Sequence, residues 1–213
     1  MSPLPTQFTD RWASRVEPGP DEGIVYWHVL LGHYPQVCAM VSAAQERLAS
    51  FPRLHMTPRH WLHITTLIVG SADEIGDGRM QAMLAHARQS LSGSAPIDAT
   101  IGRILYHPEA VMLKVQPVDA LSPILKAAQS ATRAVVGRDG TVNGGSTASW
   151  TPHVTVCYST ARQPAEPVIS ALGKELPSCD ITIDALSLVV QRGPERLWDW
   201  HVIGSVSLTA DGA

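Results

Sequence analysis

A His-apolar-Thr phrase is written twice in strand-like surroundings, in "HITTLIVG" from residue 63 and in "HVTVCYS" from residue 153. Side chains alternate along a strand, so His63 and Thr65 share one face and Ile64 takes the other; likewise His153 and Thr155 share a face opposite Val154. Strict alternation also sends Tyr158 to the Val154 face, away from the histidine, unless the strand bulges. Thr66 falls on the face opposite Thr65 and reads as structural. A third match, "HMTPR" at 55–59, is followed by Pro58, which removes a backbone donor; His55 and Thr57 are therefore read as lacking an extended scaffold.

The order of elements around the two phrases is similar. Residues 1–23 are rich in Pro, Gly and charge and read as an arm, either poorly packed or laid as a strap over the surface. Residues 24–213 read as one domain. A strand over 24–32 leads to a helix opened by Pro35, with Val37, Met40, Val41, Ala44 and Leu48 at helical spacing. A strand over 60–70 is followed by a helix over 71–91, capped by Ser71 or Asp73 and weakened in its first turn by Gly76 and Gly78. Residues 97–108 and 110–118 make a hairpin turning at Pro108 and Glu109. The second half then supplies a helix over 119–136 with Asp119 at its cap and Pro123 in its first turn, and a Gly/Ser-rich loop over 137–149 that suits a lid. A strand over 150–160, a short helix over 164–176 and two long strands over 180–209 turning at "RGPE" complete the chain. The expected fold class is α+β, with two pseudo-symmetric lobes of antiparallel sheet.

Composition narrows the function. With 45% apolar residues the chain fills a sizeable core. A formal net charge of −3 carries no basic field for gripping a long nucleic-acid backbone or a DNA duplex, while a small nucleotide or an RNA end remains open. Three cysteines, Cys38, Cys157 and Cys179, are scattered and odd in number, which points to reduced thiols in a cytoplasm. No stretch approaches a membrane span or a secretory leader, and the chain reads as soluble, cytosolic and monomeric.

The paired phrases carry the chemistry. Two imidazoles facing across a cleft can take and give a proton in one turnover, and a hydroxyl two residues along the same face can donate to a non-bridging phosphate oxygen. Displacement at a phosphodiester needs those parts and calls for neither a metal nor a cofactor.

Both phrases, His63 and Thr65 in "HITT" and His153 and Thr155 in "HVTV", resemble the motifs of the two-histidine (2H) phosphoesterase superfamily, within it the 2′-5′ RNA ligase-like group. The resemblance implies a bilobal 2H phosphoesterase-like fold with helices packed outside and a central groove where the histidines meet. It also implies metal-independent opening of 2′,3′-cyclic phosphates on nucleotides or RNA ends, and in some members 2′-5′ ligation. Members that process RNA often carry a basic residue after the second motif, where this chain has "VCYST".

Further candidates for substrate contact are Tyr26 and His28 on one face of the first strand, Trp198 and Trp200 on the last, Trp150 ahead of the second motif, and Arg138 in the loop. Their alternative use is packing or, for Arg138, plain solvation. Rival readings are a non-catalytic nucleotide or RNA-end binder, a 2H-type enzyme acting as a 2′-5′ RNA ligase or on another phosphoester, and a His-ligated metal hydrolase. The cluster His55, His60, His63 lacks the HExxH pattern, and alternation sends His60 and His63 to opposite faces.

Overall fold

A computed structural model describes residues 4–142 and 150–210. In chain order the elements are β1 (Gln7–Phe8), β2 (Gly23–Leu30), α1 (Pro35–Leu48), β3 (Leu54–Met56), β4 (His63–Ser71), α2 (Ala72–Ser90), β5 (Ile97–His107) and β6 (Ala110–Gln116). They continue with α3 (Ser122–Val136), β7 (His153–Ser159), β8 (Gln163–Pro164), α4 (Glu166–Leu172), β9 (Glu175–Ile183), β10 (Ala185–Arg192) and β11 (Trp200–Ser207). Two antiparallel sheets carry the motifs: a four-stranded sheet in the order β11-β10-β2-β4, and a five-stranded one in the order β3-β7-β6-β5-β9.

Each sheet buries one face under a helix pair. Trp27 of β2 points outward from the groove into the first lobe's core, where its indole N–H donates to Thr132 Oγ1 of α3 at 3.2 Å. In α1 the helical spacing of Val37, Met40, Val41, Ala44 and Leu48 places all five in the core. On the second lobe α1 packs beside α4 and against β7 and β9. One core cluster takes side chains from both sheets, including Trp27, Ile64, Leu113 and Val154.

Several boundaries differ from the sequence reading. Residues 54–56 do form a strand: β3 pairs with β7 at the edge of the second sheet, a place where the nearby Pro58 removes no ladder bond. Residues 175–183, expected partly as helix, are β9, since α4 stops at Leu172 before Gly173 with φ +83°. The expected long strand after residue 180 is two strands in different sheets, β9 on β5 and β10 between β2 and β11, broken at Asp184. Asp119 opens a short 3-10 turn ahead of α3, and neither it nor Ser71 makes a side-chain cap bond. Within α2, Gly76 adopts φ +71° and kinks the helix at the point where its first turn is expected to be weak.

The N-terminal segment is fastened at several points. β1 pairs with β8, Phe8 is fully buried, and the Thr9 and Arg11 amides donate to the Pro108 and Ser159 carbonyls at 2.7 and 2.9 Å. Among the described residues, no helix is long and apolar enough to cross a membrane.

Candidate active site

The two motifs are supported by matching backbone. In the first, His63 pairs with Leu30 and Thr65 with His28, after which the register shifts so that Leu67 pairs with Trp27 and Thr66 is passed over. In the second, His153 pairs with Lys114 and Thr155 with Met112, after which Cys157 pairs with Val111 and Val156 is passed over. A β-bulge thus follows the threonine in both, and a bulge re-aims the residues beyond it. The carbonyls at these kinks find donors from distant segments: Trp150 Nε1 donates to the Thr65 oxygen at 3.0 Å, and Gln45 Nε2 and the Thr57 amide donate to the Val156 oxygen at 2.9 and 3.1 Å. The residues ahead of each histidine match as well, with Leu31 N donating to Leu62 O and Val115 N to Pro152 O.

This repetition fixes the imidazoles. His63 Nδ1 lies 2.7 Å from the Trp61 carbonyl and His153 Nδ1 lies 2.7 Å from the Thr151 carbonyl. A carbonyl only accepts, so each Nδ1 carries the hydrogen and each Nε2 of the neutral ring keeps its lone pair free. Both rings are half-buried. Burial lowers the His63 pKa to about 4, opposed by the Trp61 carbonyl and reinforced by His153 across the groove. His153 is also lowered, first by burial, against the Thr151 carbonyl, and then by Arg11 and His107. Both resting imidazoles are therefore neutral at pH 7. Thr65 and Thr155 stand beside them on the groove face.

Around His63 the wall is aromatic. Its ring centroid lies 4.3 Å from that of His28 and 4.5 Å from that of Trp200, and Tyr26 stacks on His28 at 5.1 Å. His28 is buried and held neutral by burial, then by the proximity of His63. Tyr26, His28 and Trp200 are thus brought to the first motif. Trp150 bridges the two motifs through its bond to Thr65. Arg138 is not brought to them: it pairs with Glu74 at 2.9 Å beside Gly70, roughly 20 Å along β4 from His63 at about 3.3 Å per residue. The described part of its loop docks on β4, Thr141 exchanging backbone bonds with Ile68, and the expected lid over 143–149 lies outside the described residues.

Around His153 the structure adds residues that the sequence reading passes over. The bulge at Val156 turns Tyr158 to the side of Thr155, whose hydroxyl acts on the phenol. Burial and the nearby Glu195 push that phenol up to about 12. Arg11 from the N-terminal segment lies 4.9 Å above the Tyr158 ring and pairs with Glu195 and Glu109 at 2.9 and 3.0 Å. Trp12 donates its indole N–H to Glu195 at 3.1 Å. Trp198 stacks on Tyr158 and donates to His55 Nε2 at 3.0 Å, and its φ of +57° is the left-handed region that a bulky residue occupies only when its surroundings hold it there. His55 is thereby engaged with Trp198, apart from His63. Two-residue alternation hides Tyr158, and the distance along the chain hides Arg11 and Trp12.

Because burial holds His28, His63 and His153 below their ordinary value, the unfolded chain takes up protons first as pH falls through about 6.5. Stability is fully present above that value and is lost toward about pH 4, where His63 titrates in the folded state. Denaturant midpoints taken at about pH 7, 5.5 and 4.5 should fall in that order; a flat series would show that these rings are already solvated.

Two antiparallel sheets, each presenting a His-x-Thr strand whose imidazole Nδ1 is held by the carbonyl two residues upstream, with the two histidines close enough to act on one another, define a two-histidine phosphoesterase architecture. A sequence profile of the 2′-5′ RNA ligase superfamily matches residues 35–195, and the chain belongs to that superfamily. Among solved structures, TT0787 of Thermus thermophilus is 19% identical with a TM-score of 0.66, covering 89% of this chain and 100% of that one. E. coli LigT complexed with 3′-AMP is 13% identical with a TM-score of 0.62, covering 89% and 99%. The MHV ns2 PDE domain is 12% identical with a TM-score of 0.53, covering 87% and 99%. At these identities the likeness is one of fold. No curated protein matches the chain by sequence.

Proposed function

We propose that this protein is a metal-independent phosphodiesterase that hydrolyses a 2′,3′-cyclic phosphate on a nucleotide or RNA end, with water as the nucleophile. The observation that carries the reading is the matched pair of Nδ1 bonds to the carbonyls two residues upstream, which leave two free Nε2 atoms for one groove. One Nε2 takes a proton from water as its oxygen attacks phosphorus. The other, as imidazolium, gives a proton to the departing ribose oxygen as the P–O bond breaks. Both rings are neutral at rest, so the acid must gain its proton in the complex; a bound phosphate anion raises the pKa of the imidazole beside it. Thr65 and Thr155 hydroxyls donate to the non-bridging oxygens, where charge develops. Support also comes from relatives: LigT has been crystallised with 3′-AMP and with ATP, and the ns2 domain is described as a PDE.

The test is incubation with EDTA and a panel of 2′,3′-cyclic nucleotides and a cyclic-phosphate-ended oligonucleotide, with products followed by phosphorus NMR. Ring opening unaffected by EDTA is expected. Abolition by the chelator would move the reading to a metal hydrolase, and binding without product to a non-catalytic binder.

A further inference from the structure

The two lobes differ in what stands opposite each motif histidine. His63 has Leu30 as its partner across the ladder, within an aromatic wall of Tyr26, His28 and Trp200. His153 has Lys114. Residues directly opposite in an antiparallel pair point to the same face, so Lys114 projects on the groove side with His153, and Met112 with Thr155. Leu113 and Val115, between and beyond them, are fully buried on the core side. One strand further out, β5 alternates buried Ile101 and Ile104 with exposed Arg103, which places Arg103 on the same side as Lys114. His153, Lys114 and Arg103 thus form a row across three neighbouring strands, each step about 4.8 Å.

The leading cation of this row is available. Among the described residues Lys114 forms no ion pair, while Arg103 stands opposite Glu175 on β9 and so carries a partly compensated charge; Arg11 is committed to Glu109 and Glu195, and Arg15 to Glu109. Lys114 is half-buried, and its neighbours in the ladder, His153 on β7 and the Gly102–Arg103 stretch of β5, bring no carboxylate. Paired directly with His153, Lys114 is the principal cation of the row. The net charge of the chain is −3, so these cations stand out against an acidic background.

We propose that Lys114, with Arg103 behind it, forms a second phosphate subsite that receives the internucleotide phosphate next to the reacting one, so that the preferred substrate is an oligonucleotide end and its chain runs out over β6 and β5. This deepens the proposed function and rests on it for the reacting phosphate alone. Lysine donates as a mobile point charge and suits a phosphodiester monoanion. The row is short, matching one added phosphate and not a long backbone.

The test measures equilibrium binding, which needs no turnover. A mononucleotide 3′-phosphate, a 5′,3′-bisphosphate and a dinucleotide 3′-phosphate are titrated against wild type, Lys114→Met, Lys114→Arg and Arg103→Gln by tryptophan fluorescence. In wild type the dinucleotide should bind more tightly than the mononucleotide. Lys114→Met should cut the ratio of the two affinities by about 10-fold, the scale of a lost charged hydrogen bond, with Lys114→Arg restoring it and Arg103→Gln lowering it less. A wild-type ratio near one, or a loss in Lys114→Met equal for both ligands, would overturn the proposal. Tight binding of the bisphosphate without a dinucleotide preference would reassign the subsite to a free phosphomonoester. Catalytic failure on every cyclic phosphate would sink the phosphodiesterase reading while leaving these affinities interpretable, and thermal unfolding of each variant separates misfolding from lost contact.

Discussion

Replacing either His63 or His153 by alanine is expected to lower kcat on a 2′,3′-cyclic phosphate by about 10²–10⁴-fold, the contribution of a general acid or base. The double variant should lose little more than the worse single one, because two groups acting on one proton transfer sequence are not additive. Thr65→Val and Thr155→Val keep the β-branched shape and remove a donor; about 10–100-fold is expected from each, the scale of a hydrogen bond to a charged group. His63→Ala also removes one depressed imidazole and relieves the suppression of His28 by His63, so its fold should be retained and somewhat less sensitive to acid. Single-turnover kinetics, with circular dichroism as control, checks all four. Wild-type activity in His63→Ala would remove the two-shuttle mechanism altogether.

The pairing itself is legible because it needs only period-two alternation and an apolar run, and both strands meet that condition over the three residues of each motif. Alternation stops being informative one residue later. Thr66 and Val156 are each passed over in the ladder, and the sequence carries no local mark of it: the side-chain donors that satisfy the kinks, Trp150 and Gln45, come from 85 and 111 residues away. That is why alternation sends Tyr158 to the wrong face. The same limit explains β9 and β10, where an uninterrupted run of β-formers reads as one strand although Asp184 divides it between two sheets. Lys114 has a weak signal, a lysine in an otherwise apolar strand, but its meaning depends on the register that sets it opposite His153. Arg138 is the converse case. Its place in the loop that leads to the second motif allows a phosphate contact beside the plain solvated reading, and the loop carries it instead to Glu74 in the first turn of α2, just past the end of β4.

Phe8→Ala is expected to destabilise the protein by about 3–5 kcal/mol, the usual range for emptying a phenylalanine site in a core. The segment around it reads from composition as either a poorly packed arm or a surface strap, and Phe8 is fully buried in the main core cluster while the backbone is anchored by a strand pair of only two residues. A short pair contributes little by itself, so the side chain must do most of the holding. The loss corresponds to a fall in Tm of roughly 6–20 °C for a chain of this size, large beside a typical total stability of about 5–15 kcal/mol. Activity should fall with it below the melting temperature, because the same segment delivers Arg11 and Trp12 to Glu195, and Glu195 opens the turn that sets Trp198 and Trp200 beside the groove. Arg11→Ala separates the two effects. It leaves Phe8 in place but takes a cation from partly buried Glu195 and Glu109, which keep only the Trp12 indole N–H and Arg15, and removes the guanidinium over Tyr158, so it should cost less stability than Phe8→Ala and lower activity more per degree of Tm lost. A Phe8→Ala protein melting within about 2 °C of wild type would mean that the strap lies on the fold without supporting it, and a matched loss of activity and stability in both variants would deny the strap any part in shaping the groove.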